Sequence, residues 1–297
     1  FPYTTLFRSL DPADFAREFS VSVRAQTATE VELDVRGLDA SLANALRRIM
    51  LDEVATIAVD KVVIYQNTSV MPDEVLAHRL GLVPLAADPD ALAPKAEEEN
   101  FGEHNSLKFY LKADGPAAGS AEVLSGALRW EAMGGQHARF PAGVRPLHER
   151  IPLVKLGPGQ QVELEVYCTR GTGARHTKWS PVATAYYRLF PVVEMAAPVT
   201  GADAEELVAL CPTRVFELEE SGERHAKVAA ADRCTACRAC VSHPRLGDHI
   251  DLLKEKDRYI FVVESVGALP PLRIFAAAVE VLRAKAAFYL NALQLRG

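Results

Sequence analysis

The sequence lacks the features of a membrane protein, of a secreted protein and of a protein that binds nucleic acid directly. Its apolar runs stay short of the roughly 18 residues that a spanning helix needs, and no signal peptide is recognisable. Lysines and arginines number 33 against 39 aspartates and glutamates, so the formal net charge is −6 at pH 7. A chain without a basic field gains little from phosphate contacts. We expect a soluble, intracellular protein that has no membrane partner and meets nucleic acid only indirectly.

The chain is also poor in cysteine and lacks the short motifs of small-molecule enzymes. Five cysteines in 297 residues do not make a disulfide scaffold, and four of them crowd into the segment 211–240. Cys168, alone in the strand-like VELEVYC, is expected to be a buried apolar side chain. Neither Gly-x-Ser-x-Gly nor a P-loop nor a dinucleotide-binding fingerprint occurs. No catalytic residue is therefore predicted, and the clustered cysteines favour a metal site over disulfides.

The first nine residues, FPYTTLFRS, read as the translation of a sequencing adapter. Residues 1–9 are therefore left out of the predicted fold. The chain has no Met at position 1, and we expect the native N-terminus to lie outside it.

The apolar period changes several times in the first 85 residues. FSVSVR and EVELDV alternate apolar and polar residues, as half-buried strands do. A helical period follows Asp39, a suitable N-cap, through SLANALRRIMLDEV. TIAVDKVVIYQN predicts another strand, and MPDEVLAHRLGLVPL has Pro72 where a helix can start and Gly81 where it can end. The order is therefore strand, strand, helix, strand, helix.

The remainder of the chain is predicted to be mostly β-structure, closed by one long helix. Residues 86–106 are rich in Ala, Pro and Glu and predict a loop, whereas residues 107–195 read as strands separated by Gly and Pro turns. RYIFVVESVG predicts a strand, and the last helix follows Pro270 and Pro271.

The last helix has more apolar surface than one chain needs to cover. One row recurs every three or four positions, the spacing of a seam between helices: Leu272, Phe275, Val279, Leu282, Ala286, Tyr289 and Leu293. A second row lies on another side of the helix: Ile274, Ala278, Val281 and Phe288. One row can cover this chain's own sheet, so the other predicts a partner helix. The alternative is that one broad apolar face is buried inside a monomer.

Five separated blocks carry a family resemblance: LANALRRIM, VVIYQNTSVMPDEVLAHRLGLVPL, RPLHERIPLVKLGPGQ, HTKWSPVATAYYRLFP and YIFVVESVGALPP. In this order they resemble the α-like subunit family of multisubunit RNA polymerases, which includes bacterial α, the archaeal D subunit and the third subunit of RNA polymerase II. The match is closest to the larger α-like subunit shared by eukaryotic RNA polymerases I and III. The RNA polymerase II subunit carries zinc-binding cysteines in the loop that corresponds to residues 86–106, where this chain has none. The archaeal subunit remains an alternative.

The resemblance implies an α+β fold in which both chain ends build a dimerisation domain of one sheet and two to three helices. The implied borders are residues 19–67 and 253–297 for the dimerisation domain, 68–200 for an inserted β-rich domain and 201–252 for a small ferredoxin-like insert.

The resemblance also implies a role and its partners. The chain would be a non-catalytic assembly subunit that forms a heterodimer with the smaller α-like subunit and nucleates the two large subunits, for transcription of rRNA, tRNA and 5S RNA in the nucleus, including the nucleolus. The first helix would join the last in the dimer interface through Leu42, Leu46 and Ile49. Arg47 and Arg48 match the family's LRR, where the dimer meets a large subunit.

The clustered cysteines resemble a two-cluster ferredoxin sequence from which one cluster has been lost. Such a run is C-x-x-C-x-x-C-x-x-x-C-P, and its fourth cysteine ligates the other cluster. Cys234, Cys237 and Cys240 begin one run, and Cys211 with Pro212 ends another. We therefore predict one [4Fe-4S] cluster on these four cysteines, with a structural role. Zinc on the same thiolates, zinc on the last three with His243, and no metal are the alternatives.

A function of another class stays open at this point, namely an iron–sulfur redox protein built on a dimerisation scaffold. Copurification with a small α-like partner and very large subunits would favour the polymerase subunit. A reversible reduction potential linked to an electron donor would favour the redox protein.

Overall fold

The computed structural model describes residues 12–219 and 224–294, and the predicted adapter segment 1–9 lies outside them. The described residues form six α-helices, α1 to α6 in chain order: Pro12–Glu18, Ala40–Asp52, Asp73–Gly81, Gln136–Arg139, Gly201–Leu210 and Pro271–Gln294. The strands β1 to β7 are Ser20–Gln26, Glu30–Arg36, Thr56–Asn67, Leu85–Ala86, Ser106–Asp114, Ala121–Leu124 and Arg129–Glu131. The strands β8 to β14 are Arg145–Pro146, Pro152–Leu156, Gln161–Gly171, Val182–Met195, Phe216–Glu219, His225–Val228 and Ile250–Ser265. The predicted α+β class is confirmed.

The predicted helix and strand signals of the first 85 residues are confirmed. Asp39 caps α2, because its carboxylate accepts the backbone N–H of Ser41 at 2.8 Å. Hydrogen bonds from the hydroxyl and the backbone of Ser41 lower the pKa of Asp39. Helix α3 begins directly after Pro72, with Asp73 in its first turn, where the helix dipole favours a negative charge.

Two four-stranded sheets dominate the described part of the chain. Their hydrogen-bonded orders are β1-β2-β14-β11 and β3-β10-β5-β7. In the second sheet, β10 pairs antiparallel with β3 on one side and β5 on the other, so Cys168 lies between Val59 and Leu107. The inward residues of these strands form one apolar cluster, which includes the fully buried Leu164 and Val166.

The chain divides into two compact units. Among the described residues, one unit comprises 12–24, 32–43, 187–219 and 224–261, and the other comprises 25–31, 44–186 and 262–294. These borders differ from the predicted ones at both ends of the β-rich segment. Strand β3 lies in the predicted dimerisation domain but pairs with β10. Strand β11 lies in the predicted inserted domain but belongs to the sheet of β1, β2 and β14. Apolar alternation marks a strand without naming its pairing partner.

The cysteine-rich segment has a small core that the sequence pattern did not predict. Helix α5 buries Ala204 and Leu207, which cluster with Phe216 on β12 and Leu246. Strands β12 and β13 pair as an antiparallel hairpin. Cys211 and Cys240 pack against this core. The cysteines therefore lie beside an apolar cluster and not in a loop without a core.

Within the described residues, no helix combines the length and the apolar character that crossing a membrane requires.

Candidate functional site

Near its start, one row of side chains on helix α6 is fully buried by this chain. Ile274 and Ala278, from the second apolar row, are fully buried. Arg273 fastens the same end of the helix, since its Nη2 lies 2.6 Å from Asp88 and 2.9 Å from Asp90. The second apolar row therefore faces this chain's own core, as predicted, in the first two turns of α6.

The second half of α6 carries uncovered apolar side chains. All residues from 283 to 291 are exposed. The largest exposed fractions belong to Phe288, Tyr289, Leu290 and Leu293, at 68, 65, 59 and 69%. Of the predicted seam, Val279, Ala286, Tyr289 and Leu293 are exposed, whereas Leu272, Phe275 and Leu282 are half-buried. Several large apolar side chains that stay exposed in one segment of a helix mark an interaction site.

Helix α2 contributes less surface than the sequence predicted. Leu46 and Ile49 are buried within the chain, so their side chains have no surface left for a partner, and Leu42 is half-buried. The helical period identifies an apolar face but not which chain covers it. The interface prediction is thereby narrowed to Leu42 and to the exposed part of α6. We call the exposed residues within 279–293 of α6 the apolar α6 surface.

The two arginines of α2 differ in their surroundings. Arg47 donates from Nε and Nη2 to the side-chain oxygen of Asn44 at 3.1 and 3.0 Å, one turn earlier. Arg48 is exposed and makes no hydrogen bond or ion pair with any described residue. Arg48 therefore presents an unpaired guanidinium to solvent, as the predicted contact with a large subunit requires.

All four predicted cysteine ligands line one pocket. Cys211 follows the last residue of α5, and Cys234, Cys237 and Cys240 lie in the loop between β13 and β14. Ala236 has a φ of 56° and Arg238 a φ of 65°, so one residue in each x-x pair of the run adopts the left-handed conformation. These two turns curl the loop tightly and bring its three cysteines back to the same pocket.

Backbone N–H groups point at the sulfurs of this pocket. Val215 N–H donates to Cys211 Sγ and Ala236 N–H to Cys234 Sγ, each at 3.4 Å. Burial by itself raises the pKa of Cys211, but the hydrogen bond from Val215 and those from Thr213 outweigh it and lower the pKa. Burial raises the pKa of Cys240. Such N–H donors are what thiolates need when they hold a cluster.

The thiols share a pocket but do not converge on one point. Within residues 12–219 and 224–294, no three histidine, cysteine, aspartate or glutamate side chains are placed so that they could hold a single metal ion. Cys237 is exposed, whereas the other three cysteines are half-buried. Four thiols therefore line one pocket, but a preassembled single-ion site is absent from the described residues.

His243 is already engaged, which disfavours the zinc alternative that used it. Its Nδ1 accepts the backbone N–H of Leu246 at 3.4 Å, and its Nε2 lies 3.3 Å from Glu206. A ring whose two nitrogens both have protein partners has no free lone pair for zinc.

Two arginines that the sequence did not single out connect the cysteine loop to the rest of its unit. Arg188 on β11 donates to the backbone oxygen of Asp232 at 2.9 Å and to that of Cys234 at 3.5 Å. Arg24 on β1 forms an ion pair with Asp232. Arg24 and Asp232 are 208 positions apart, and Arg188 lies 44 positions before Asp232. No local pattern signals these contacts.

The comparisons with known proteins agree with this architecture. A family model described as the RNA polymerase Rpb3/Rpb11 dimerisation domain matches residues 32–286. The DNA-directed RNA polymerases I and III subunit RPAC1 of Mus musculus is 39% identical over 300 aligned positions, covering 95% of this chain and 87% of the relative. The same-named subunit of Saccharomyces cerevisiae is 36% identical, covering 93% and 88%.

Archaeal relatives match somewhat less closely. The DNA-directed RNA polymerase subunit Rpo3 of Methanosphaera stadtmanae is 31% identical, covering 92% of this chain and 97% of the relative. These names give no support to a redox protein, and the predicted resemblance to polymerase α-like subunits is confirmed. With a match over most of its length, the chain belongs to the family of RNA polymerase subunits that share the Rpb3/Rpb11 dimerisation domain.

Proposed function

We propose that this chain is a non-catalytic assembly subunit of RNA polymerases I and III in the nucleus, including the nucleolus, where rRNA, tRNA and 5S RNA are transcribed. It forms a heterodimer with the smaller α-like subunit, and the pair nucleates assembly of the large subunits. The observation that carries this proposal is the apolar α6 surface, in a chain most of which matches a dimerisation domain. The names of the relatives support polymerases I and III over the archaeal enzyme, because the eukaryotic identities are higher.

The burial of one side chain shows the scale of what the apolar α6 surface contributes to a dimer contact. A tyrosine side chain buries about 200 Å² when fully covered, so the exposed two-thirds of Tyr289 is roughly 130 Å². At about 25 cal/mol per Å², its burial contributes roughly 3 kcal/mol, or about a hundredfold in affinity.

The heterodimer is tested by coexpression with the smaller α-like subunit and native mass spectrometry of the purified complex. We expect a one-to-one complex that is lost, or weakened about a hundredfold, in the double variant Tyr289→Asp, Leu293→Asp. Val70→Asp is the matched control, because it also replaces an exposed apolar side chain by a carboxylate but lies outside α6. A heterodimer that survives the double substitution unchanged would refute the proposed interface.

Arg48 is proposed to contact a large subunit after the heterodimer has formed. Arg48→Glu is expected to leave the heterodimer intact and to reduce copurification of the large subunits. Reduced heterodimer formation in this variant would contradict that order of roles.

We also propose that Cys211, Cys234, Cys237 and Cys240 hold one [4Fe-4S] cluster with a structural role. The shared pocket, the left-handed turns between the cysteines and the N–H donors at sulfur support it. When bound, such a group crosslinks a loop-rich segment whose core is small. The chain's own residues then orient the thiolates and shield them from solvent on the side of Phe216.

The cluster is tested by anaerobic purification of the full chain and analysis of iron, sulfide and zinc. We expect four iron and four sulfide per chain, both lost in Cys211→Ser and retained in Cys168→Ser, whose cysteine lies in the sheet core. Zinc in place of iron would refute the cluster. Full polymerase assembly after complete loss of iron would refute its structural role.

A further inference from the structure

The outer face of the sheet β3-β10-β5-β7 is lined with aromatic and charged side chains. Residues directly opposite each other across antiparallel strands share a face. The register pairs Tyr167 with Lys61 and Lys108, Glu165 with Tyr110, and Glu163 with Lys112. Strand β7 extends the same face with Arg129, opposite Tyr110, and Glu131, opposite Lys108. We call this set of residues, with Tyr65 and Phe101, the tyrosine face.

Aromatic rings give the tyrosine face an apolar platform. Tyr65 lies where the pairing register of β3 and β10 shifts, and 59% of it is exposed. Phe101, from the loop before β5, packs on Tyr167 with ring centroids 4.9 Å apart. Tyrosine supplies large contact area at a small entropic cost, so it is enriched at protein interfaces.

The carboxylates of this face are neutralised within the face itself. Glu163 accepts the hydroxyl of Tyr110 at 2.5 Å and Lys112 Nζ at 3.0 Å. Lys108 Nζ lies 2.7 Å from Glu165 and 3.1 Å from Glu131. These pairs hold their side chains in place before any partner arrives.

Three cations on or beside the face remain without a carboxylate partner among the described residues: Lys61, Lys95 and Arg129. Lys61 and Lys95 have their amino groups 5.7 and 4.8 Å from the ring centroid of Phe101. Lys95 Nζ donates only to the backbone oxygens of Ala96 and Glu97. These three cations give the face a local positive charge that its own carboxylates do not compensate.

We propose that the tyrosine face is a docking surface for an acidic protein segment that carries an apolar side chain. The apolar side chain packs on Tyr65 and on Val63, which lies opposite Glu165 and therefore on the same face. Acidic residues on either side of it pair with Lys61, Lys95 and Arg129. A nucleic acid is disfavoured because Lys108 and Lys112 are already paired with carboxylates of the face, which leaves few free cations for a continuous row of phosphates. A polypeptide can place its charges over the cations alone.

This surface is independent of the apolar α6 surface and of the cysteine pocket, so its test does not depend on the proposed function. The probe is a fluorescein-labelled peptide of about twelve residues, with a central Leu-Phe pair flanked by Asp and Glu. Its binding to the full chain is followed by fluorescence anisotropy at about 0.1 M salt and compared with binding of single-stranded oligothymidine of equal length.

We expect the peptide to bind and the oligothymidine not to. Tyr65→Ala should weaken peptide binding about tenfold, whereas Tyr65→Phe retains it, since the ring rather than the hydroxyl makes the contact. The double charge reversal Lys61→Glu, Arg129→Glu should weaken peptide binding by about fivefold or more and make the affinity less dependent on salt concentration. Lys155→Glu is the matched control, because Lys155 is exposed on β9, outside this sheet.

Three results would overturn the proposal. The wild-type chain could fail to bind the peptide. Lys155→Glu could weaken binding as much as the reversal on the face. The oligothymidine could bind more tightly than the peptide through the same residues, in which case the face is a nucleic-acid platform.

Discussion

The ion pair between Asp34 on β2 and Arg258 on β14 yields a stability prediction that can be worked out from its geometry. Arg258 donates from Nε and Nη2 to the two carboxylate oxygens at 3.0 and 2.7 Å. The exposed fractions are only 6% for the Asp34 side chain and 13% for that of Arg258, so water screens the pair weakly. The guanidinium carbon also lies 3.3 Å from the ring centroid of Phe190. The hydrogen bond from Arg258 lowers the pKa of Asp34, and burial opposes this shift.

The perturbation is Asp34→Asn, which removes the charge and keeps the shape. Removing one partner of a buried ion pair costs about 3–5 kcal/mol. Arg258 retains Glu255 at 3.2 Å and the ring of Phe190, and the amide oxygen of Asn still accepts a hydrogen bond. We therefore expect a smaller loss, about 2 kcal/mol, which corresponds to roughly thirtyfold faster local opening.

Hydrogen–deuterium exchange with mass spectrometry measures this opening without assuming that the whole chain unfolds in one step. Peptides covering residues 30–36 and 250–261 should exchange faster at pH 7, and peptides of β10 serve as an internal reference. Glu255→Gln is the matched control and should change exchange less than about fivefold, because a partly exposed ion pair contributes little. A change below about fivefold in Asp34→Asn, which is no larger than the change allowed for the control, would refute the reasoning.

The pH dependence of the same variant has a definite sign. The folded pKa of Asp34 is lowered, so the stabilisation by the pair is fully present above the unfolded value near 3.8 and is lost as pH falls through the folded pKa. The difference between wild type and Asp34→Asn should therefore stay constant from neutral pH to about 4.5 and narrow below about 3.8. A difference that vanishes near pH 6 would mean that another group controls this region.

Three further predictions concern the unit that contains β10. Trp179 is fully buried and donates its indole N–H to a backbone oxygen of β10, so Trp179→Ala should cost about 3–5 kcal/mol, seen as a lowered melting temperature. A Cβ on Gly173 would lie 2.3 Å from the backbone oxygen of Leu51, so Gly173→Ala should lower the melting temperature as well, and an unchanged value would show that this contact relaxes freely. Burial raises the pKa of Cys168 far above its usual value, so iodoacetamide at pH 8 should label the exposed Cys237 of the metal-free chain first and Cys168 only after unfolding.

The elements near the chain ends were predictable because their signals are local. The N-cap Asp39, the helical period after it and the pair of prolines before α6 each act within a few residues. Their predicted limits agree with α2 and α6 within about two residues. The buried state of Cys168 followed from the same local reasoning, because the alternating pattern of β10 places it on the apolar face.

The assignment of strands to sheets was not predictable from local patterns. Strand β3 reads like a neighbour of β2, yet its partner β10 begins about a hundred residues later. Leu46 and Ile49 read like an interface row, but they fill this chain's own core. In both cases the pattern defines a face, and only the folded chain decides what covers it.

The candidate sites divide in the same way. The cysteine spacing predicted which residues share a pocket, because the turns of a C-x-x-C-x-x-C run are local. The arginines that hold the loop came from distant strands, and the tyrosine face arose from cross-strand register. Alternating polar residues in three separate strands carry no sign that their side chains meet.

The sequence by itself determined the family, the helices and strands at both chain ends, the cysteine set and the excess of apolar residues on the last helix. These depend on residue type and short spacing. Only the tertiary structure decided which apolar residues stay exposed, which strands pair and which charges remain without partners. Burial and strand pairing depend on contacts between residues that are far apart in the sequence, and a local sequence pattern does not specify those contacts.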